Sequence, residues 1–365
     1  MRVNENLTGN LSANGYLFDA PIRNIRLTGH LICYERFGTI NCHNLSGSLD
    51  ITCKEDINKS ANGTGGRGVH IYYGSKFFNL GTIIVENNEA QDTAVNNQAA
   101  IGIDGDGVLN KEMILEGIYA ELLHIKNCRT NGILIQGINH RFKNVIIDNW
   151  GSDITNPLSA IPYMNYVDYD GNDIRDEQCA VFLHNTNAII DNLCINQIGF
   201  AGRSKALTDV HIGRMPFDSD GDKYISPTIN NLISLNPQGR VLTVGRQVRR
   251  AMAVVNNIEI SNVSSNNVLV TDATLKSQYG LVHVDFANCI FGKIFCTNTN
   301  GAKLLKQTDR NFGGTDKQFI NMTCKLVQCI AVPTTGTMID ISFNVTIDRV
   351  IGWTQTNNRV AYINV

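Results

Sequence analysis

The sequence predicts an all-β fold built as a solenoid of stacked parallel turns, and three observations predict it. Short stretches alternate apolar and polar residues with the period of two that strands show. These stretches recur in pairs, and the inward anchors of a pair keep returning to a minimal spacing of 12 residues. Asparagine stands two positions beyond the second anchor in five turns of seven.

One turn shows the unit most clearly. From Asn131 to Gly151, Ile133 and Ile135 alternate with Leu134 and Gln136, the chain bends, and Val145 and Ile147 alternate again before Asp148-Asn149-Trp150-Gly151. A second copy runs through Val181-Phe182-Leu183-His184-Asn185 and then Leu193-Cys194-Ile195-Asn196-Gln197-Ile198-Gly199. First anchors fall at Ile71, Ile103, Ile135, Leu183, Ile212, Val244 and Val284, and second anchors at Val85, Ile125, Ile147, Ile195, Leu235, Ile260 and Cys296. The gaps inside each pair are 14, 22, 12, 12, 23, 16 and 12, so the longer ones read as insertions. Two positions past the second anchors stand Asn87, Asn127, Asn149, Gln197, Pro237, Asn262 and Asn298.

Stacking gives each turn its core, because a single turn buries its apolar residues only by lying on its neighbours. An asparagine at the same corner of successive turns tolerates the tight left-handed conformation, and its amide can bond the asparagine of the next turn. At these residues the chain resembles the right-handed parallel β-helix of pectate-lyase-like proteins and phage tailspikes, asparagine ladder included. The resemblance covers residues 20 to 330, roughly, and implies architecture more specifically than activity. The organisation it implies is an N-terminal cap or linker end over 1–20, the β-helix over 21–330 and a C-terminal strand cap or trimer contact over 331–365. The Phe-Gly-Ala type motif near the start of many family members is absent, which leaves open whether an N-terminal region that meets other phage tail proteins lies outside this chain.

Composition narrows the partners. The chain has 365 residues, long for one compact core but ordinary for a solenoid that grows along an axis. Only 18% of residues are charged and the net charge is -2, so no basic surface argues for nucleic acid or an anionic membrane. No stretch is apolar for long enough to span a bilayer, and the N-terminus MRVNENLTGN lacks an apolar signal region. The ten cysteines contain no Cys-x-x-Cys pair and scatter over repeat positions, as reduced thiols used as small hydrophobes do.

Insertions are where chemistry is expected, since in repeat proteins they emerge on one face and build the binding surface. Three stand out: Ser152 to Gln178, Gly105 to Ala120 and Gly213 to Thr228. They rise beside the first-strand sheet around turns two to five, which implies a walled groove. Outward positions on that sheet include His70, Gly102, Leu134, Phe182, His211, Thr243 and His283, and just past the anchors Tyr72, Asp104, Gln136 and His184. With turns about 4.8 Å apart, Asp104, Gln136 and His184 form a ladder about 10 Å long.

A polar groove with carboxylates and aromatic rings suits an oligosaccharide. Glycosidases use two carboxyl groups, about 5 to 5.5 Å apart for retention or about 6.5 to 9.5 Å apart for inversion. Asp104 with Asp106, or either with Asp170 or Glu177, supplies candidate pairs, although Asp in DGDG, DYDGND and DSDGD is also a common turn former. His184 can orient a hydroxyl or serve as a base for β-elimination. Arg214 suits an acidic sugar's carboxylate, and Trp150, Tyr163, Tyr166, Tyr169, Phe182, Tyr72, Gln136 and His211 are the candidate substrate contacts. No cofactor is expected. Asp218 to Asp222 resembles a calcium loop, yet Lys223 stands where the EF-hand pattern needs glycine.

The tailspike resemblance implies a homotrimeric virion tail component that acts on bacterial capsular or O-antigen polysaccharide. Hydrolysis is expected over lyase chemistry, because the insertions are rich in carboxylates and no Lys/Arg row lies on the strand faces named above. A lyase on the same scaffold, or a receptor spike that binds glycan without cutting it, are the alternatives.

Overall fold

Every strand pairing is parallel among the described residues, and the pairings sort into two sheets that the chain visits alternately from Phe37 on. The structure is a computed structural model. With side chains it describes 23–34, 37–54, 68–72, 74–86, 99–104, 114–128, 131–150, 179–197, 208–213, 226–237, 239–245, 251–263, 280–284, 288–299, 302–307, 321–330, 338–341 and 345–352, apart from single side chains. Backbone alone is described for a few further strand residues, among them Arg2–Val3, Leu7–Asn10, Thr356–Asn357 and Ala361–Ile363.

One sheet holds 15 strands and the other 11; the first four strands all lie in the larger sheet, and from Phe37 on each turn gives one strand to each sheet. This is a parallel β-helix. The expected anchors are its inner columns. Ile71, Ile103, Ile135, Leu183, Ile212, Val244 and Val284 pair in unbroken register along the 11-stranded sheet, and all are fully buried. Each such side chain contributes about 1.5–3 kcal/mol by leaving water.

The second column carries one correction. Val85, Ile125, Ile147 and Ile195 stack in register, but the next rung is Ser234 and not Leu235, followed by Ile260 and Cys296. Leu235 faces outward. The interior accepts a hydroxyl here because Ser234 Oγ lies 2.5 Å from Asp209 Oδ2, both side chains being buried. Asp209 itself occupies a column of small and apolar residues, with Ala180 one rung before it and Val241 one rung after.

The long strands also begin earlier than expected. Glu116–Cys128 points Ile118, Ala120, Leu123 and Ile125 inward, so the alternation slips between Ala120 and Leu123, where the strand bends. The expected Gly105-to-Ala120 insertion therefore ends before Glu116. Its last residues are the first half of this strand.

Asparagine marks the corners. Asn127, Asn149, Asn236 and Asn262 take left-handed φ of 60°, 58°, 56° and 59°, and Asn149 Nδ2 donates to Asn127 Oδ1 at 3.1 Å. The correction at Ser234 moves the column from Pro237 to Asn236. The residue after each corner turns inward, as Cys128, Trp150, Pro237, Val263 and Thr299 do. A second ladder was not expected: Asn192 Nδ2 donates to Asn144 Oδ1 at 3.1 Å, Asn231 to Asn192 at 2.9 Å and Asn257 to Asn231 at 2.9 Å. It runs along the bend of the long strands.

The cysteines are free thiols, all buried except the half-buried Cys194. Cys33 and Cys53 pair in register, as do Cys296 and Cys329, and burial pushes the Cys324 thiol up to about 12. Near the C-terminus Ile339–Asp340, Val345–Ile351, Thr356–Asn357 and Ala361–Ile363 add further parallel rungs to both sheets. No helix among the described residues is long and apolar enough to cross a membrane.

Candidate functional site

The outer face of the 11-stranded sheet brings most of the described candidate residues together. Its central row is in register from His70 through Gly102, Leu134, Phe182, His211, Thr243 and His283 to Lys306 and Asp340. The strands are short and β-branched on their inner side, which fixes the alternation and so aims these side chains away from the core.

At one end of the row His70 Nε2 lies 2.7 Å from Asp104 Oδ1. The contact crosses between neighbouring strands and has a local cause. Gly102 is the rung opposite His70 and has no side chain, so the imidazole can lean over it to the carboxylate. Tyr72 is in register with Asp104, and its ring centroid is 4.6 Å from that of His70. With Asp104 ionised, the Nε2–H tautomer of His70 donates to it.

In mid-row Phe182 sits between two imidazoles. Its ring stacks on His184 at 5.6 Å and meets His211 edge-on at 4.9 Å. Gln136 lies on the strand between Asp104 and His184, where a bulge shifts the register beyond Ile135. Asp104, His184, Tyr72, Gln136, Phe182 and His211 thus share one face of one sheet. The exposed groove expected for them is not what the row shows: His70, Asp104, His184 and His211 are each 3–4% exposed. Tyr72, Gln136 and Phe182 on the same face are half-buried.

At the other end Lys303 and Lys306 both bond Asp340, Lys306 at 2.9 Å. Burial alone would raise the Asp340 carboxyl, and the two ammonium groups outweigh it and hold the carboxyl below its usual range. Burial, with Lys306 beside it, lowers Lys303. Basic side chains therefore do lie on this face beyond the strands named in the sequence reading, because the sheet continues past Val284 into Lys303–Thr308.

Trp150 is a correction of another kind. Its side chain is fully buried in the core, turned inward by the left-handed Asn149, so its ring is not available to a sugar. Asp106, Asp170, Glu177, Tyr163, Tyr166, Tyr169 and Arg214, and the stretch 218–222, lie outside the described residues. No group of three or more His, Cys, Asp or Glu that could hold a metal ion occurs among the described residues.

His140 was missed, and it serves the scaffold. Ile118 N–H donates to its Nδ1 at 3.0 Å and its Nε2–H donates to the Gln136 carbonyl at 3.0 Å. Burial lowers it to about 4. No protein-family model, curated protein or solved structure matches the chain.

Proposed function

We propose that this β-helix is a polysaccharide depolymerase, an endo-acting glycoside hydrolase of the tailspike kind that works on a bacterial capsular or O-antigen glycan. One observation carries the reading: the His70–Asp104 contact, with the Phe182, His184 and His211 rings further along the same row. The sequence stretches 105–113, 151–178 and 214–225 each connect a strand of this sheet to a strand of the other sheet.

In this reading Asp104 is the carboxylate that attacks the anomeric carbon or activates water, since it accepts a hydrogen bond from an imidazole rather than sitting in an apolar pocket. The acid would be a second carboxyl from an excursion, Asp106, Asp170 or Glu177. Phe182 and Tyr72 supply ring faces, and Gln136, His184 and His211 supply hydrogen bonds to hydroxyls. The tailspike likeness further suggests a homotrimer in a virion tail.

Lys303 and Lys306, both bonded to Asp340 of the row, favour the lyase as the second reading, because β-elimination needs cations at a uronate carboxylate. Incubation with a panel of purified capsule and O-antigen polysaccharides decides between them. The hydrolase releases new reducing ends without the ultraviolet absorbance of an unsaturated uronide, and the lyase releases both. Binding without any product across the panel would overturn both and leave a recognition spike.

A further inference from the structure

The other sheet carries a feature that neither folding nor the short-sheet site uses. At the start of its long strands a column of residues takes left-handed φ: Asn24 at 58°, Asn44 at 58°, Phe77 at 60°, Gly117 at 67° and Asn139 at 60°. Asparagine and glycine tolerate this conformation, and an aromatic residue is an outlier there. Asn44 Nδ2 donates to Asn24 Oδ1 at 2.8 Å on one side, and Asn187 Nδ2 donates to Asn139 Oδ1 at 3.3 Å on the other. Phe77 and Gly117 interrupt an asparagine ladder.

Packing does not explain the interruption. Phe77 is 51% exposed, while its neighbour Phe78 takes the core position. Space is made for the ring by Gly117, where an added Cβ would come 2.8 Å from Phe77 Cδ1. The ring borders a surface hollow of about 490 Å³ whose other lining groups include Asn24, Asn44, Ser46 and Asn79, with no charged residue among them. Ser46 Oγ donates to the Ile25 carbonyl at 3.3 Å, which leaves the oxygen as an acceptor.

We propose that this hollow binds a neutral pyranose, a sugar subsite separate from the short-sheet face. One face of a hexopyranose presents C–H groups, which lie on an aromatic ring, while its edges present hydroxyls, which need groups that both donate and accept. An exposed ring beside three amides and a hydroxyl meets both needs. The absence of charge in the lining selects uncharged sugars over uronates, whose carboxylate would find no cation there.

Saturation-transfer NMR with the methyl glycosides of glucose, galactose, mannose and N-acetylglucosamine, and of glucuronic acid, tests this on the whole chain. At least one neutral glycoside receives transfer at its C–H face, and the glucuronide does not. Phe77→Asn, which extends the Asn24–Asn44 ladder by one rung, weakens that binding by about tenfold or more without lowering the thermal midpoint. Asn79→Ala weakens it with the fold unchanged. Asp104→Asn leaves it intact, so the test is independent of any activity at the short sheet. The inference is overturned if no neutral glycoside binds, if Phe77→Asn binds as wild type does, or if Phe77→Asn lowers the midpoint, since the ring would then serve the fold.

Discussion

Lowering the pH should weaken this β-helix well before its carboxylates titrate, and His140 is the reason. Both ring nitrogens are committed: Nδ1 accepts from the Ile118 amide and Nε2–H donates to the Gln136 carbonyl. A proton on Nδ1 would set two donors against each other in a fully buried site. Burial accordingly lowers the group to about 4, against an ordinary value of 6.5. The folded state therefore favours the neutral ring, and its stability is complete above the unfolded value and lost as pH falls from there toward the folded one. Each unit is worth about 1.4 kcal/mol, so the whole span is about 3 kcal/mol and the part above pH 5 is about 2 kcal/mol.

Urea unfolding followed at intervals from neutral to about pH 5 reads this directly, with His140→Leu as the partner measurement. Above the ordinary histidine range the Leu variant is weaker than wild type, because the Ile118 N–H and the Gln136 carbonyl lose their partner at about 1–3 kcal/mol each. The gap should narrow as pH falls, since Leu cannot be protonated. A ring resonance of His140 that titrates at the ordinary value, or two urea curves that shift in parallel with pH, would refute the reasoning.

The Ser234–Asp209 pair makes a second prediction: Ser234→Ala costs about 1.5–3 kcal/mol in unfolding free energy, and Asp209→Ala with Ser234→Ile restores wild-type stability or exceeds it. Strict additivity of the two changes would contradict a contact between them. On the surface ladder, Asn192→Ala breaks bonds to both Asn144 and Asn231 and should lower stability by about 1–2 kcal/mol, with faster amide exchange confined to the coils on either side.

Much of this fold was legible because a solenoid writes its geometry into spacing. An inward side chain every second residue and an anchor pair every turn are visible without knowing any contact. The reading failed where local chemistry replaced apolarity. Leu235 looked like an anchor beside Ser234, and only the carboxyl of Asp209, 25 residues away in sequence, makes serine the inward rung. A signal was present all the same: Asn144, Asn192, Asn231 and Asn257 each stand three residues before an inward anchor, and that spacing points to Ser234. Trp150 was misread because alternation says nothing about the residue after a left-handed corner.

The candidate site was legible as a row but not as a contact. His70 and Asp104 were both placed on the outer face, yet their meeting depends on the missing side chain at Gly102 between them. The burial of the row had no sequence signature, because outward polar residues look the same whether water or protein covers them. The lysines near Asp340 were missed because the inward rung in register with Val284 is Gln307, a buried polar residue that apolar alternation does not mark.

The most direct test of the account compares wild type with Asp104→Asn on whichever panel polysaccharide the wild type degrades. The account predicts that the variant still binds the polymer and releases product at least about 100-fold more slowly, as loss of a general base or nucleophile requires. Turnover by Asp104→Asn at the wild-type rate would contradict it.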